Sequence, residues 1–157
     1  MTESIGTRPA RTPEIVQRPE QRAAVVAIRG SLGDFPGLVS EAFALTVRRI
    51  QESGAAVAGP PFARYFEFGE QIQAEAGFPY HGTLLPTDRV IETALPGGRT
   101  VTTTHVGPYP DIGTAWERGL AWMTEHELTP TGPGWESYLT GPDDPGPPVT
   151  EIFWPID

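Results

Sequence analysis

The apolar positions change period several times along the chain, and each change predicts an element. From Glu14 an extended stretch carries Ile15 and Val16, crosses the polar run Arg18-Pro19-Glu20-Gln21-Arg22 and enters Ala23-Ala24-Val25-Val26-Ala27-Ile28, which reads as one strand or as two separated by a bulge. Leu38, Val39, Ala42, Phe43, Val47 and Ile50 then fall at helical spacing, and Ser53-Gly54 supplies the stop. After the turn Gly59-Pro60-Pro61, residues 62–66 read as a strand, and 71–80 as its partner. Strands are predicted over 89–95 and 99–106, with Pro96-Gly97-Gly98 as the hairpin turn between them. A second helix starts near Asp111, placed as a cap, and puts Ile112, Ala115, Trp116, Leu120 and Met123 on one stripe. Gly132-Pro133-Gly134 leads into a strand over 135–140, and an acidic, proline-rich loop leads to the last strand, 150–156.

These elements repeat. Val25 to Gly30 answers Thr102 to Gly107, Asp34 answers Asp111, and Gly59-Pro60-Pro61-Phe62 to Tyr65 answers Gly132-Pro133-Gly134-Trp135 to Tyr138. Glu75-Ala76-Gly77-Phe78-Pro79 lies over Glu151-Ile152-Phe153-Trp154-Pro155. So many matches in one order at a nearly constant offset predict a duplication. Each half is strand, helix, strand, strand, and neither can bury its sheet alone. The expected fold is therefore α+β: β-α-β-β halves, about 14–82 and 89–157, related by a pseudo-twofold, with an antiparallel sheet, two helices and a central groove. Residues 1–13, polar and without period, read as a mobile arm ahead of one domain over 14–157.

Composition narrows the function classes. The 157 residues carry 20 acidic and 11 basic side chains, and a net charge of -9 disfavours direct nucleic-acid binding. All the basic residues are arginine; without lysine or cysteine, a Walker-type loop, a Schiff base, disulfides and thiolate metal sites are excluded. No apolar run approaches a membrane span and no signal peptide is evident, so a cytoplasmic protein is expected. The arginine-only usage with abundant Ala, Gly and Pro suggests a GC-rich bacterial genome.

The candidate chemistry gathers around Glu151, a carboxylate inside an apolar, aromatic strand. Alternation puts Glu151 and Phe153 on one face and Ile152, Trp154 and Ile156 on the other. A carboxylate taken out of water needs a partner or a raised pKa. Two roles stay open: counter-ion or general base in a ligand groove, or a carboxylate pinned by an arginine such as Arg64 or Arg99. Phe62, Tyr65, Trp135, Tyr138 and Phe153 are either core or groove wall, and Trp116 and Trp122 cannot share one narrow stripe, so one of them borders the cleft. His81, His105 and His126 lack metal spacing, Asp143-Asp144 reads as a solvated loop, Gly97-Gly98 is followed by no helix to cradle phosphate, and Ser137 has no triad partners in sequence.

Leu95-Pro96-Gly97-Gly98-Arg99 to Thr104-His105-Val106-Gly107-Pro108-Tyr109, with Trp135-Glu136-Ser137-Tyr138-Leu139-Thr140 and Thr150-Glu151-Ile152-Phe153-Trp154-Pro155-Ile156, resembles the gyrase-inhibitor-like small-molecule-binding domain. That domain also serves as the effector-binding domain of AraC- and MerR-type drug-responsive regulators. The resemblance runs from about Glu14 and implies a duplicated, SHS2-type fold whose groove takes flat, lipophilic, often cationic molecules, with a final-strand glutamate, here Glu151, meeting the charge. No cofactor is expected, in line with the lack of metal and nucleotide motifs. A helix-turn-helix has no room upstream, so a stand-alone member is expected: a drug-binding or multidrug-sequestering protein of drug resistance, a cofactor-free hydrolase of cyclopropane-containing cytotoxic compounds using Glu151 and Tyr138, or a topoisomerase-modulating partner protein.

Overall fold

The computed structural model describes residues 12–141 and 143–157, so most of the arm expected over 1–13 lies outside the described residues. The described residues form nine strands and two helices: β1 (Glu14–Arg18), β2 (Gln21–Ser31), α1 (Phe35–Glu52), β3 (Ala56–Val57), β4 (Phe62–Glu67), β5 (Gln71–His81), β6 (Val90–Leu95), β7 (Gly98–Val106), α2 (Ile112–Glu125), β8 (Trp135–Tyr138) and β9 (Val149–Pro155). A short 3₁₀ turn, Tyr109–Asp111, precedes α2. The strand order is β1-β7-β9-β8-β4-β5-β2-β6, with β3 added beside β5, and every pairing is antiparallel.

Read from its middle outward, this order is symmetric, as a duplication requires. β4 and β8 meet at the centre, and β5 and β9, β2 and β7, then β6 and β1 follow on either side. The central register pairs Phe62 with Ser137, Ala63 with Glu136 and Arg64 with Trp135. Because Ala63 and Glu136 are also repeat counterparts, that pair lies on the pseudo-twofold itself.

Two expectations about the flanks change. β6 and β7 are not a hairpin: β6 pairs with β2, while β7 pairs with β1 and β9. Each half thus sends its first strand to the other half. The link between β6 and β7 crosses the link between β1 and β2 so closely that a Cβ on Gly97 would sit 2.4 Å from the Glu20 amide nitrogen. Gly97 serves a crossing, and the signal at Pro96-Gly97-Gly98 was the right residue set with a different geometry. The stretch 14–28 likewise resolves into two strands with different partners, because Pro19 cannot supply a ladder N–H.

Each helix covers the outer part of one half on the same side of the sheet. α1 buries Phe35, Ala42, Thr46 and Ile50 against Ala24, Val26, Ile72, Ala74 and Ala76. α2 buries Ala115, Gly119 and Met123 against Val101, Ile152 and Trp154. Leu120, expected in that stripe, is exposed; Gly119 takes the inward position, because a Cβ there would lie 2.1 Å from the Trp154 ring. Asp111 makes no side-chain cap hydrogen bond, contrary to expectation, since the 3₁₀ turn already runs into the helix. On the opposite side the sheet curls over its own core of Ala23, Val25, Phe62, Leu95, Trp135 and Phe153, none more than 4% exposed. No helix of the described residues is long and apolar enough to cross a membrane.

Candidate functional site

Strand alternation divides the aromatic residues predicted for one groove between the two faces of the sheet. Phe62 and Trp135 are fully buried in the core under the curl, stacked there with Phe153 at 5.4 Å between ring centroids for the Trp135–Phe153 pair. Glu151 lies on this same side, half-buried, with Thr104 and Ser137 as its cross-strand neighbours. Arg18 acts on the same side: its guanidinium sits 4.3 Å from the Phe153 ring centre, and its pKa is lowered by burial and partly restored by Glu151. Among the described residues no arginine forms an ion pair with Glu151; Arg18, rather than Arg64 or Arg99, is the arginine whose charge it feels. Arg99 instead donates to the Asp157 carbonyl, and Arg64 faces Glu75.

Tyr65, Tyr138 and Trp116 point to the helix side, and they converge on Glu136. β8 is short, and its alternation sends Trp135 and Ser137 under the curl while Glu136 and Tyr138 face the space between α1 and α2. Glu136 is 5% exposed. Tyr138 donates to its Oε1 at 2.6 Å and Tyr65 to the same oxygen at 3.1 Å, while the Trp116 indole N–H donates to Oε2 at 2.6 Å. The two phenol oxygens are 3.4 Å apart. Tyr65 and Tyr138 are repeat counterparts, so both halves reach the pseudo-twofold with the same side chain, whereas Glu136 answers Ala63. The duplication has been broken at its axis by one carboxylate.

The electrostatics follow from this enclosure. Burial pushes the Glu136 carboxyl up, opposed by the hydrogen bonds from Tyr138, Trp116 and Tyr65 and by the nearby His105. Burial likewise raises both phenols, Tyr65 and Tyr138, and the neighbouring carboxylate raises them further. Among the described residues no arginine forms an ion pair with Glu136. Three neutral donors, each worth about 1.5–3 kcal/mol to a charged acceptor, favour the ionised form against the burial that raises its pKa.

Aromatic rings surround the cluster. Phe35 and Trp116 pack on Tyr65 at 5.7 and 5.9 Å, and Phe43 packs on Tyr138 at 6.0 Å. Outside them, Phe68 stands edge-on to Tyr65 at 5.9 Å and Tyr109 edge-on to Tyr138 at 5.8 Å; both outer rings are exposed. Trp116 joins the cluster around Glu136, while Trp122 stacks on His126. Among the described residues no cluster of His, Asp or Glu is arranged to hold a metal ion.

Glu136 was not singled out in the sequence, although the repeat carried a signal for it: a glutamate inside a strand where the other copy has alanine. Phe35, Phe43, Phe68 and Tyr109 were also missed; a helix stripe and two loops give no cue that their rings meet over one strand pair.

This layout is that of a known family. A family model for the GyrI-like small molecule binding domain matches residues 11–157. The chain belongs to the GyrI-like family. In structure it is similar to EcmrR in an EcmrR–DNA complex, at 18% identity and a TM-score of 0.81, covering 95% of this chain and 58% of that one. It is also similar to a hydrolase from Listeria innocua (18% identity, TM-score 0.65, 96% and 94% covered) and to SAV2435 bound to tetraphenylphosphonium (12%, 0.61, 92% and 97%). At these identities the likeness is one of fold. No curated protein matches the chain in sequence. A GyrI-like domain is a small-molecule-binding domain, which agrees with the general function expected from the sequence.

Proposed function

We propose that this domain binds lipophilic aromatic cations between its two helices, with Glu136 as the counter-ion. The observation that carries the reading is a buried carboxylate that, among the described residues, accepts from Tyr65, Tyr138 and Trp116 and has no arginine ion pair, with aromatic rings packed about it. Such a site is short of one positive charge. An aryl cation supplies it, and the rings supply area and cation–π attraction of about 0.5–2 kcal/mol per contact. The role that the sequence suggests for Glu151 passes to Glu136, because Glu151 already faces Arg18 from the other side of the sheet. Phe68 and Tyr109 are the exposed rings that pack on the two phenols, and a ligand would reach the carboxylate by displacing one of them. The acidic surface raises the local concentration of cations.

Calorimetry with tetraphenylphosphonium, the compound bound to SAV2435, and with neutral triphenylphosphine oxide tests this. The cation is expected to bind at least about tenfold more tightly, a difference of about 1.4 kcal/mol. Equal affinities would refute the counter-ion reading.

A second reading rests on the same groups. A carboxyl raised by burial and flanked by two phenols is equipped for cofactor-free hydrolysis of a strained electrophilic ring. Glu136 would take a proton from water as the water oxygen attacks a cyclopropane carbon, the ring C–C bond would break toward a conjugated carbonyl, and Tyr138 would donate to the developing oxyanion. Mass spectrometry of a cyclopropane-bearing electrophile after incubation separates the two: a water adduct formed over many turnovers favours the hydrolase, and unaltered compound favours the binding protein.

A further inference from the structure

A second recessed site lies on the other side of the sheet, away from Glu136. It is an open hollow of about 390 Å³ at the end of the first half, where Ala27, Arg29, Phe66, Gln73 and Glu75 stand beside the backbone of Ile28 and Ala74. The register explains how it forms. Ala27, Glu75 and Arg64 make one cross-strand row over β2, β5 and β4, and Arg29 and Gln73 make the next. Between those rows β4 carries a bulge: Tyr65 pairs with Ala74 and Glu67 with Gln73, which leaves Phe66 as the extra residue. A bulge re-aims the side chain it frees. Here it places the Phe66 ring, 49% exposed, beside the cavity with the Arg64 guanidinium 5.4 Å from its centre. β6 ends its pairing with β2 at Val26, so the cavity opens beside an uncovered stretch of β2.

The polar groups of this cavity are incompletely satisfied. Glu75 Oε1 and Arg64 Nε are both buried and have no hydrogen-bond partner, and the two side chains, although cross-strand neighbours, form no ion pair. Such atoms are uncommon and call for a partner. The two halves differ in the residues at these positions: the repeat counterparts of Arg29, Arg64, Phe66 and Gln73 are Val106, Ser137, Leu139 and Val149. Only the carboxylate recurs, as Glu151. Around Glu151 the arginine is Arg18 of β1, lying over the buried Phe153, whereas Arg29, Phe66 and Gln73 gather beside Glu75 at an open hollow.

A site with both charges repels a simple cation at its arginines and a simple anion at Glu75, and fits a molecule carrying both. We infer that this cavity binds a small zwitterion with an aryl group, of the class of aromatic α-amino acids. The ammonium group meets Glu75, the carboxylate meets Arg29, and the ring lies on Phe66. The volume is within the range of small-molecule sites, about 300–1,000 Å³. Burial raises the Glu75 pKa and Arg64 opposes that rise, so a bound ammonium would hold the carboxyl ionised.

The test is a backbone-amide NMR titration of the full chain with L-tryptophan, tryptamine and indole-3-propionate as probes. L-tryptophan is expected to shift the amides of Ala27, Phe66 and Glu75, and to bind at least about tenfold more tightly than tryptamine, which lacks the carboxylate, and indole-3-propionate, which lacks the ammonium. Arg29→Gln changes an exposed side chain and leaves the fold intact; it should bring L-tryptophan down to the level of tryptamine. Glu75→Gln should bring it down to that of indole-3-propionate. Equal binding of the three probes, no shift at these residues at millimolar L-tryptophan, or shifts confined to the residues around Glu136 would each overturn the inference.

Discussion

Gly77→Ala is expected to be the most destabilising single methyl that can be added to this protein. Gly77 sits in the interior of β5, opposite Val25 on β2 and Phe62 on β4. A Cβ there would be 1.8 Å from the Ala24 carbonyl oxygen and 2.9 Å from the Val25 Cα, both backbone atoms of the paired strand. A side chain in the way can rotate, whereas a ladder partner can only separate. The cost should exceed the usual 1–3 kcal/mol of overpacking, or roughly 10 °C in melting temperature for a chain of this size. Gly113→Ala is the control: nothing lies within 4 Å of its Cβ position, and alanine in a helix should be neutral or stabilising. Thermal unfolding followed by circular dichroism reads both, and a Gly77→Ala midpoint within about 2 °C of the parent would show that the sheet has slack there.

The second large effect concerns pH. Burial raises the Glu136 pKa in the folded state above its unfolded value. Over the interval between those two values the folded protein binds more protons than the unfolded chain, so stability falls as pH rises through it. At lower pH the carboxyl is neutral in both states and its burial carries no charge penalty; above the folded pKa the full penalty is present. Glu136→Gln removes this contribution. Its unfolding free energy should lack the decline that the parent shows from the ordinary carboxylate range upward, so that the two pH profiles diverge as pH increases. Denaturant titrations at a series of pH values measure this, and parallel profiles would mean that the three donors hold the carboxyl at its unfolded pKa. A bound cation should reverse the sign, since it favours the ionised form.

Much of the architecture was legible because duplication leaves an ordered trace. Gly59-Pro60-Pro61 answering Gly132-Pro133-Gly134, and Tyr65 answering Tyr138, are enough to place two like halves about an axis, and both helices and most strands follow from apolar spacing. The exchange of β1 and β6 between halves was not legible: Pro96-Gly97-Gly98 suits a hairpin and a crossing equally, and only the partner strands distinguish them. The candidate site was half legible. Tyr65, Tyr138 and Trp116 stand out in the sequence by their rings and converge. Phe62, Trp135 and Phe153 stand out on the same ground and belong to the core beneath the curl, because residues adjacent in a strand look alike in composition while facing opposite sides. Glu151 attracted attention as a lone acid in an apolar run, yet Glu136, between Trp135 and Tyr138, had the same surroundings and also broke the repeat. What decides between them is Arg18, far off in sequence, which answers the charge of one glutamate and not the other.

The central claim is that the ligand's charge is met by Glu136. Calorimetric titration of tetraphenylphosphonium into the parent protein, Glu136→Gln and Glu151→Gln tests it most directly, with circular dichroism to confirm that each variant is folded. Glu136→Gln should bind about 10- to 100-fold more weakly, about 1.4–2.8 kcal/mol, and Glu151→Gln should match the parent. Undiminished binding by Glu136→Gln together with loss in Glu151→Gln would move the site to the other side of the sheet and contradict the account.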